Sequence, residues 1–287
     1  MIVLSLFDGI STGHLALDDA KINVEKYYAS EINPYATKIT NTRFPNTIQL
    51  GDINLWKNWD IEWSEIDLIL AGSPCQDLSF AGSKTGLSGN KSSLFFVFLD
   101  ILNFVKTKNP KVLFLLENVK MKQENLKLIT DYLNIKPVRI NSNLVSAQNR
   151  DRYYWTNINN GNISQPNDCK IILKDILREE DDGKYPLSTK HMNAFIKNYP
   201  NWKICDRNEK AKPILATYYK QPPHCPYIED KMSESGVRRL SPEECELCQT
   251  LPLGYTKVDS ISDTRRYESI GNGWTMKIIS HILSHMS

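Results

Sequence analysis

The residue in this chain with the most reactive side chain in the most telling place is Cys75. It follows Leu70-Ala71-Gly72-Ser73-Pro74, an apolar run that stops on a turn sequence, and precedes Gln76. A strand that ends on Gly-Ser-Pro delivers its next side chain to the carboxyl edge of a sheet, where open α/β folds bind their ligands. A lone cysteine is more often buried and inert, so the thiol alone decides nothing. Two other stretches shift the balance. Leu115-Leu116-Glu117-Asn118-Val119 sets a carboxylate at the end of another apolar run, and Gln148-Asn149-Arg150-Asp151-Arg152-Tyr153-Tyr154-Trp155 carries two arginines expected to face one side of an extended segment. A nucleophilic thiol, a partly desolvated carboxylic acid that donates to a ring nitrogen, and an arginine that holds a carbonyl oxygen are the needs of a pyrimidine under attack. Taken singly, the glutamate reads as a helix cap and the arginines as a surface ion-pair network.

A second set of residues lies toward the start. Phe7-Asp8-Gly9-Ile10-Ser11-Thr12-Gly13 follows the first apolar run and opens a helical pattern, with small residues that let backbone N–H groups approach a ligand. The middle glycine of G-x-G-x-x-G is replaced, which argues against a pyrophosphate. Glu31 closes the second predicted strand about 20 residues on, where a carboxylate pairs with ribose hydroxyls. Asp52 closes the third. Either acid alone serves equally well as a helix cap, but two at successive strand ends favour a nucleoside cofactor.

The elements that must carry these residues to one edge are legible as periodicity. Ile2 to Phe7, Val24 to Ala29, Thr47 to Leu50, Ile66 to Ala71, Val112 to Leu116 and Pro137 to Ile140 are predicted strands, and Leu94 to Val105 and Glu124 to Leu133 predicted helices. That alternation is a doubly wound α/β pattern. From Asn157 to Gly236 it gives way to Asn, Pro, Asp and Lys with short apolar pieces, and Gly273 to Met286 is predicted to be helical again. The expected organisation is an α/β domain over 1–157, completed by 237–287, with a small, mostly irregular second domain over 158–236.

With 287 residues and 41% hydrophobic content the chain can fill a substantial core. No apolar run approaches the ~18 to 20 residues of a membrane span, and the start lacks the basic region of a signal peptide, so a cytoplasmic protein with reduced thiols is expected. Cys245 and Cys248 have the spacing of a zinc half-site, but they share one face of a helix primed by Ser241-Pro242-Glu243-Glu244. Core packing is their expected role, with no metal site. Residues 1–77 hold 5 Lys/Arg against 11 Asp/Glu, residues 78–170 hold 13 against 6, and the remainder 17 against 16. Positive charge thus gathers just after the candidate nucleophile, where it would suit a phosphate backbone.

Taken in order, Phe7-Asp8-Gly9 with Gly13, Glu31, Gly51-Asp52, Gly72-Ser73-Pro74-Cys75-Gln76, Glu117-Asn118-Val119, Gln148-x-Arg150-x-Arg152, Arg239-Leu240-Ser241-Pro242-Glu243-Glu244 and Ile270-Gly271-Asn272-Gly273 resemble the motifs of the DNA cytosine-5 methyltransferases. The combination of Pro-Cys-Gln, Glu-Asn-Val and Gln-x-Arg-x-Arg at these separations is the specific part. Phe-Asp-Gly-Ile-Ser-Thr-Gly, Ser-Pro-Cys-Gln-Asp-Leu-Ser and Gly-Asn-Gly-Trp are similar to the branch containing the eukaryotic de novo enzymes, and the lack of a regulatory domain implies a compact bacterial or phage enzyme.

The resemblance implies a Rossmann-like methyltransferase domain dependent on S-adenosylmethionine. It implies that Cys75 attacks C6 of a flipped cytosine, that Glu117 acts at N3, and that Arg150 and Arg152 grip the base or an adjacent phosphate. Phe7, Asp8, Gly9, Ile10, Thr12, Glu31, Ile32, Asp52, Ile53, Gly72, Pro74, Leu94, Asn272 and Trp274 match the positions that surround the cofactor. Duplex DNA would meet Gln76, together with Ser79, Lys84 and Lys91 on a Gly/Ser-rich lid between Asp77 and Ser93. It would also meet Thr217, Arg238 and Arg239 in or beside the 158–236 segment, which fills the place of the target-recognition domain. Tyr218, Tyr219, Lys220 and His224 are further candidates, the tyrosines being equally candidates for core. The expected enzyme is a monomer of the restriction-modification kind. Two other readings are an RNA cytosine-5 methyltransferase and a catalytically silent DNA-binding partner. The sizeable recognition segment counts against the first, and an intact Cys75, Glu117 and arginine pair against the second.

Overall fold

The computed structural model describes residues 1–73 and 94–286. The chain forms two compact units, the first comprising Met1–Ile140, Asp151–Gln165 and Ile279–Ser287, the second Asn141–Arg150 and Pro166–Ile278.

In the first unit, β1 (Ile2–Leu6) is buried at every position and pairs in parallel with β2 (Lys26–Ser30) on one side and β4 (Leu68–Gly72) on the other. Burial on both faces is why it reads as an unbroken apolar run rather than an alternating one. Beyond β2 lies β3 (Ile48–Gln49), beyond β4 lies β5 (Leu113–Val119), and β7 (Asp151–Thr156) runs antiparallel to β5. With β6 (Val138–Asn141) at the far edge, the order is β3-β2-β1-β4-β5-β7-β6. Connections run outward from β1 to β3, then restart on the other side at β4. The switch point therefore falls between β1 and β4, and ligands of open α/β sheets bind at the carboxyl ends of the strands flanking such a point.

The crossovers are α1 (Thr12–Asp19), α2 (Pro34–Arg43), α3 (Leu94–Lys108) and α4 (Gln123–Leu133). Asn33 caps α2 by accepting from Tyr35 and Ala36 N–H, with Pro34 in the first turn. Phe95, Phe98, Ile101, Leu102 and Val105 of α3 recur at helical spacing, and all are buried in one core with Phe114 and Leu116 of β5. The six predicted strands are present, with two differences at the functional edge. The fifth continues three residues past its predicted end, carrying Glu117 into the sheet. The segment read only as extended is a full strand, β7.

The second unit is mostly loops. Its regular pieces are α5 (Thr189–Asn198), the antiparallel pair β8 (Tyr227–Glu229) and β9 (Val237–Arg239), α6 (Pro242–Cys248) and α7 (Asp263–Asn272). The C-terminal helix, α8 (Met276–Leu283), starts three residues later than predicted. Phe195, Tyr218, Tyr227 and Tyr267 form the aromatic centre of the second core, and Cys225, Cys245 and Cys248 are buried among them. Burial pushes the Cys225 thiol up to about 12, so it stays protonated and inert. Ser241 starts α6 as a capping box, its hydroxyl accepting from Glu244 N–H at 3.1 Å while the Glu244 carboxylate accepts from Ser241 N–H at 2.8 Å. Among the described residues no helix is long and apolar enough to cross a membrane.

Candidate active site

Three backbone reversals shape the loop after β1: Phe7, Gly9 and Ser11 take φ of 59°, 61° and 54°. For the two that carry a Cβ this left-handed conformation costs on the order of 1–2 kcal/mol each, and such strain concentrates at functional sites. A Cβ at Gly9 would meet nothing within 4 Å, so the backbone there fronts open space. Ties to β2 hold the loop in place. Asp8 N–H donates to Ser30 O at 3.1 Å, Tyr27 hydroxyl donates to the Asp8 carboxylate at 2.8 Å, and Ser11 hydroxyl donates to the same carboxylate. Burial pushes the Asp8 carboxyl above the usual carboxylate range, and the Ser11 and Tyr27 hydroxyls oppose the shift. His14, one turn into α1, lies flat between the rings of Tyr27 and Phe44 at 4.3 and 4.0 Å, and burial holds its imidazole below the ordinary histidine value.

Glu31 is the hinge of this edge. Its Oε2 accepts from Gly9 N–H at 2.8 Å, and its Oε1 from Ile32 and Asn33 N–H at 2.9 and 2.7 Å. Each carboxylate oxygen accepts two bonds, so Oε2 retains a lone pair. Beside it Ile32 is 75% exposed, an apolar surface left facing water. Ser30 hydroxyl donates to Gly51 O at 2.7 Å and so joins this strand end to Asp52, whose Oδ1 caps a short turn through Asn54 N–H. Ile10, Thr12 and Ile53 are buried behind the loop, and Thr12 Oγ1 has no hydrogen-bond partner among the described residues. Phe7 packs on the core, and Leu94 opens α3 half-buried. An acceptor for hydroxyls, an exposed apolar flank, a second carboxylate and an orphaned hydroxyl on a loop with open space fit S-adenosylmethionine, which presents a ribose, a flat adenine and an amino-acid tail.

Two strands along, Gly72 at the end of β4 stands in register with Glu117 of β5. Asn118 Nδ2 donates to Ser73 O at 3.3 Å and Ser73 Oγ at 3.2 Å, clamping the residue two before Cys75. Glu117 is opposite Tyr154 of β7 and Val119 opposite Arg152, so Glu117 and Arg152 sit diagonally on one face of the antiparallel pair. Arg152 Nε lies 2.9 Å from Glu117 Oε1, with side chains 14% and 11% exposed. The Nε–H has no aligned acceptor among the described residues, so the contact is one of charge, and Arg152 Nη1 donates instead to Asp151 O at 2.9 Å. Withdrawal from water makes such a pair stronger than a surface one. Pro74, Cys75, Gln76, Ser79, Lys84 and Lys91 lie outside the described residues.

The remaining expected site residues belong to the second unit. Arg150 was expected to face the same way as Arg152, but it precedes β7 and donates to the carbonyls of Ile214, Gly271 and Gly273 at 2.9, 3.1 and 2.9 Å. Gln148 also works inside this unit, donating to Cys248 O at 2.6 Å and accepting from Ile214 N–H at 3.0 Å. Gly271 is required by close approach: a Cβ there would lie 2.2 Å from Ala216 N. Asn272 ends α7 in an exposed position, and Trp274 follows half-buried. Arg238, expected on DNA, is corrected by its burial. It is 1% exposed, with Nη1 and Nη2 on Glu244 at 2.7 and 2.8 Å and Nε on Asp182 at 2.9 Å. A buried capping-box carboxylate needs a counter-charge, and Arg238 is that charge. Arg239 lies over the Tyr267 ring at 5.2 Å and donates to Tyr219 O. Thr217 is exposed, whereas Tyr218 is core. Reasoning from sequence missed Asn118 as the clamp on Ser73 and Tyr27 as a support for Asp8. The adjacency of Asn118 to Glu117 is the only sequence signal for either.

The sequence profile of the C-5 cytosine-specific DNA methylases matches residues 1–287. The type II methyltransferase M1.ScrFI of Lactococcus lactis subsp. cremoris is 29% identical over 99% of this chain and 77% of its own length. The type II methyltransferase M.NlaX of Neisseria lactamica is 27% identical over 99% of this chain and 95% of its own. Among solved structures, the S. pombe Dnmt2 methyltransferase shares the fold with a TM-score of 0.77 at 17% identity, covering 100% of this chain and 98% of that one.

Proposed function

Because this chain belongs to the C-5 cytosine-specific DNA methylase family, enzymes whose methyl donor is S-adenosylmethionine, we propose that it methylates C5 of a cytosine flipped out of duplex DNA, through a covalent bond from Cys75 to C6. The observation that carries this reading is the Glu117–Arg152 pair, set across β5 and β7 beside the clamped Ser73 that leads to Cys75. C5 and C6 are inaccessible inside a stacked duplex, so the base must leave the helix to be attacked. The Cys75 thiolate adds to C6 while Glu117 hydrogen-bonds N3 and the exocyclic amine, and the electrons of the C5–C6 double bond become available at C5. Arg152 holds Glu117 in place and meets the carbonyl oxygen of the base. Bound S-adenosylmethionine supplies the electrophilic methyl group. Loss of the C5 proton to a base restores the double bond and expels the Cys75 thiolate, leaving the enzyme unchanged.

Glu31 is assigned to the ribose hydroxyls, Ile32 to the adenine face and Asp52 to the adenine amine. The loop from Phe7 to Thr12, with Gly72, Pro74, Leu94, Asn272 and Trp274, completes the cofactor surroundings. Arg150 is assigned a positioning role, because its guanidinium meets three backbone carbonyls. Residues 158–236 are assigned to target recognition, the 77–93 stretch to a lid over the flipped base, and the enzyme to a cytoplasmic restriction-modification role, a reading supported by its likeness to type II methyltransferases. The test is transfer of labelled methyl to duplex DNA and, in parallel, to folded RNA, with sequencing to locate the modified bases. Label at C5 of cytosine in DNA is expected; label in RNA alone, or in neither, contradicts the reading.

A further inference from the structure

The loop assigned to the cofactor rests on a chain of buried hydroxyl groups that reaches it from two elements. Tyr27 of β2 donates to Asp8 Oδ1 at 2.8 Å, and Ser11 donates to Asp8 Oδ2. Thr40 of α2 lies 3.0 Å from Ser11 Oγ and 3.4 Å from Gly9 O. The Ser11 proton is committed to Asp8, so the single Thr40 proton is what joins α2 to the loop, at Ser11 Oγ or Gly9 O. Tyr27, Ser11 and Thr40 are all buried, so bulk water does not replace a hydroxyl removed from any of them. The Tyr27 ring is itself fixed face to face against His14 at 4.3 Å, with Phe44 on the other side of the imidazole.

The conformation these hydroxyls hold is a strained one. Phe7, Gly9 and Ser11 are left-handed, and such backbone persists only where its surroundings over-determine it. What the loop delivers is the Gly9 N–H, which donates to Glu31 Oε2 at 2.8 Å while Ile32 and Asn33 N–H fix Oε1. Gly9 stands in sequence between Asp8 and Ser11, the two residues that the hydroxyls grip. Without a Cβ it adopts its φ of 61° at no steric cost but has no preference for it, so its N–H points at Glu31 only while its neighbours are held. We propose that Tyr27 and Thr40 are positioning residues for S-adenosylmethionine: through Asp8, Ser11 and Gly9 they set the orientation of the Glu31 carboxylate, and with it the recognition of the ribose hydroxyls. An acceptor ordered in advance binds more tightly than one the ligand must order itself. The inference rests on the assignment of Glu31 to the ribose.

The test is calorimetric titration of the full-length protein with S-adenosylhomocysteine and with its analogue whose ribose lacks both hydroxyls. The proteins compared are the wild type, Tyr27→Phe, Thr40→Val, Thr40→Ser and Glu31→Ala. Tyr27→Phe and Thr40→Val each remove one hydroxyl and keep the packing. Each should weaken binding of S-adenosylhomocysteine roughly three- to tenfold, the worth of one hydrogen bond, and leave the Kd of the analogue within about twofold of the wild-type value. The preference for the intact ribose therefore shrinks toward that of Glu31→Ala. Thr40→Ser restores the hydroxyl and should bind both ligands as the wild type does. The Tm of each variant reports on folding, and should Thr40→Val fail to fold, Tyr27→Phe carries the test. Folded variants that lose affinity for both ligands alike, or for neither, while Glu31→Ala loses the ribose preference, overturn this inference and leave the ribose assignment standing. A wild type that binds the two ligands equally, or a Glu31→Ala variant that keeps the wild-type preference, overturns both.

Discussion

Asn118 binds both the carbonyl and the hydroxyl of Ser73, two residues before Cys75. The proposed nucleophile, Cys75, and the proposed acid, Glu117, can be tested separately. Cys75→Ala is expected to abolish methyl transfer and leave S-adenosylmethionine affinity essentially intact by calorimetric titration, because every acid assigned to the cofactor lies on other strands. Glu117→Gln keeps the shape and loses the carboxyl, so kcat should fall about 10²–10⁴-fold, the usual worth of a positioned general acid, with cofactor affinity again preserved. His14 supplies a pH prediction. Burial lowers its pKa in the folded state below the ordinary 6.5, so the fold favours the neutral ring. Above 6.5 both folded and unfolded chains hold His14 neutral and stability is unaffected. Below that value the unfolded chain takes up a proton that the folded chain resists, and stability falls. The Tm should therefore drop as the pH falls below 6.5, and His14→Phe should remove that part of the drop. Asp8, whose pKa is raised by burial, acts in the opposite sense, losing stability as pH climbs from 3.8 through its folded value.

The strands were legible because buried parallel strands are apolar throughout, and the functional edge was harder to read because the signal stops where the chemistry begins. β5 was expected to end at Leu116; it runs on through Glu117, Asn118 and Val119 because antiparallel pairing with β7 satisfies the backbone of these polar residues. Period-two alternation is what predicted a common face for Arg150 and Arg152. The prediction fails at the boundary, since β7 starts at Asp151 and Arg150 turns to carbonyls of 214, 271 and 273. Arg238 reads as a basic residue beside another. Its partner Asp182 is 56 residues away in sequence, a contact that no local pattern reports. The Gly271 requirement is equally non-local, set by the 215–216 backbone packed against α7. Gly271→Ala is expected to destabilise the protein by at least about 1–3 kcal/mol, the cost of forcing an added methyl into a packed site, which calorimetry reads as a lowered Tm.

At the scale of the whole molecule, the order along the chain of the residues assigned to catalysis and to the cofactor follows from strand order. The strands flanking the switch point, β1 and β4, end in the loop assigned to the cofactor and in Ser73, and the neighbours β2, β3 and β5 supply Glu31, Asp52 and Glu117. Five strand ends of one sheet can therefore serve a single reaction although their residues span more than a hundred positions of sequence. The central claim is that the reaction passes through a bond between Cys75 and C6. A duplex carrying 5-fluorocytosine tests it most directly, because a fluorine at C5 leaves no proton to lose and the sulfur–carbon bond cannot be released. With S-adenosylmethionine present, the wild type should form a denaturation-resistant adduct with the methylated, fluorinated strand, mapped by peptide mass to Cys75 and lost in Cys75→Ser. An adduct at any other residue, or methylation of ordinary DNA with no adduct to the fluorinated duplex, would contradict the mechanism.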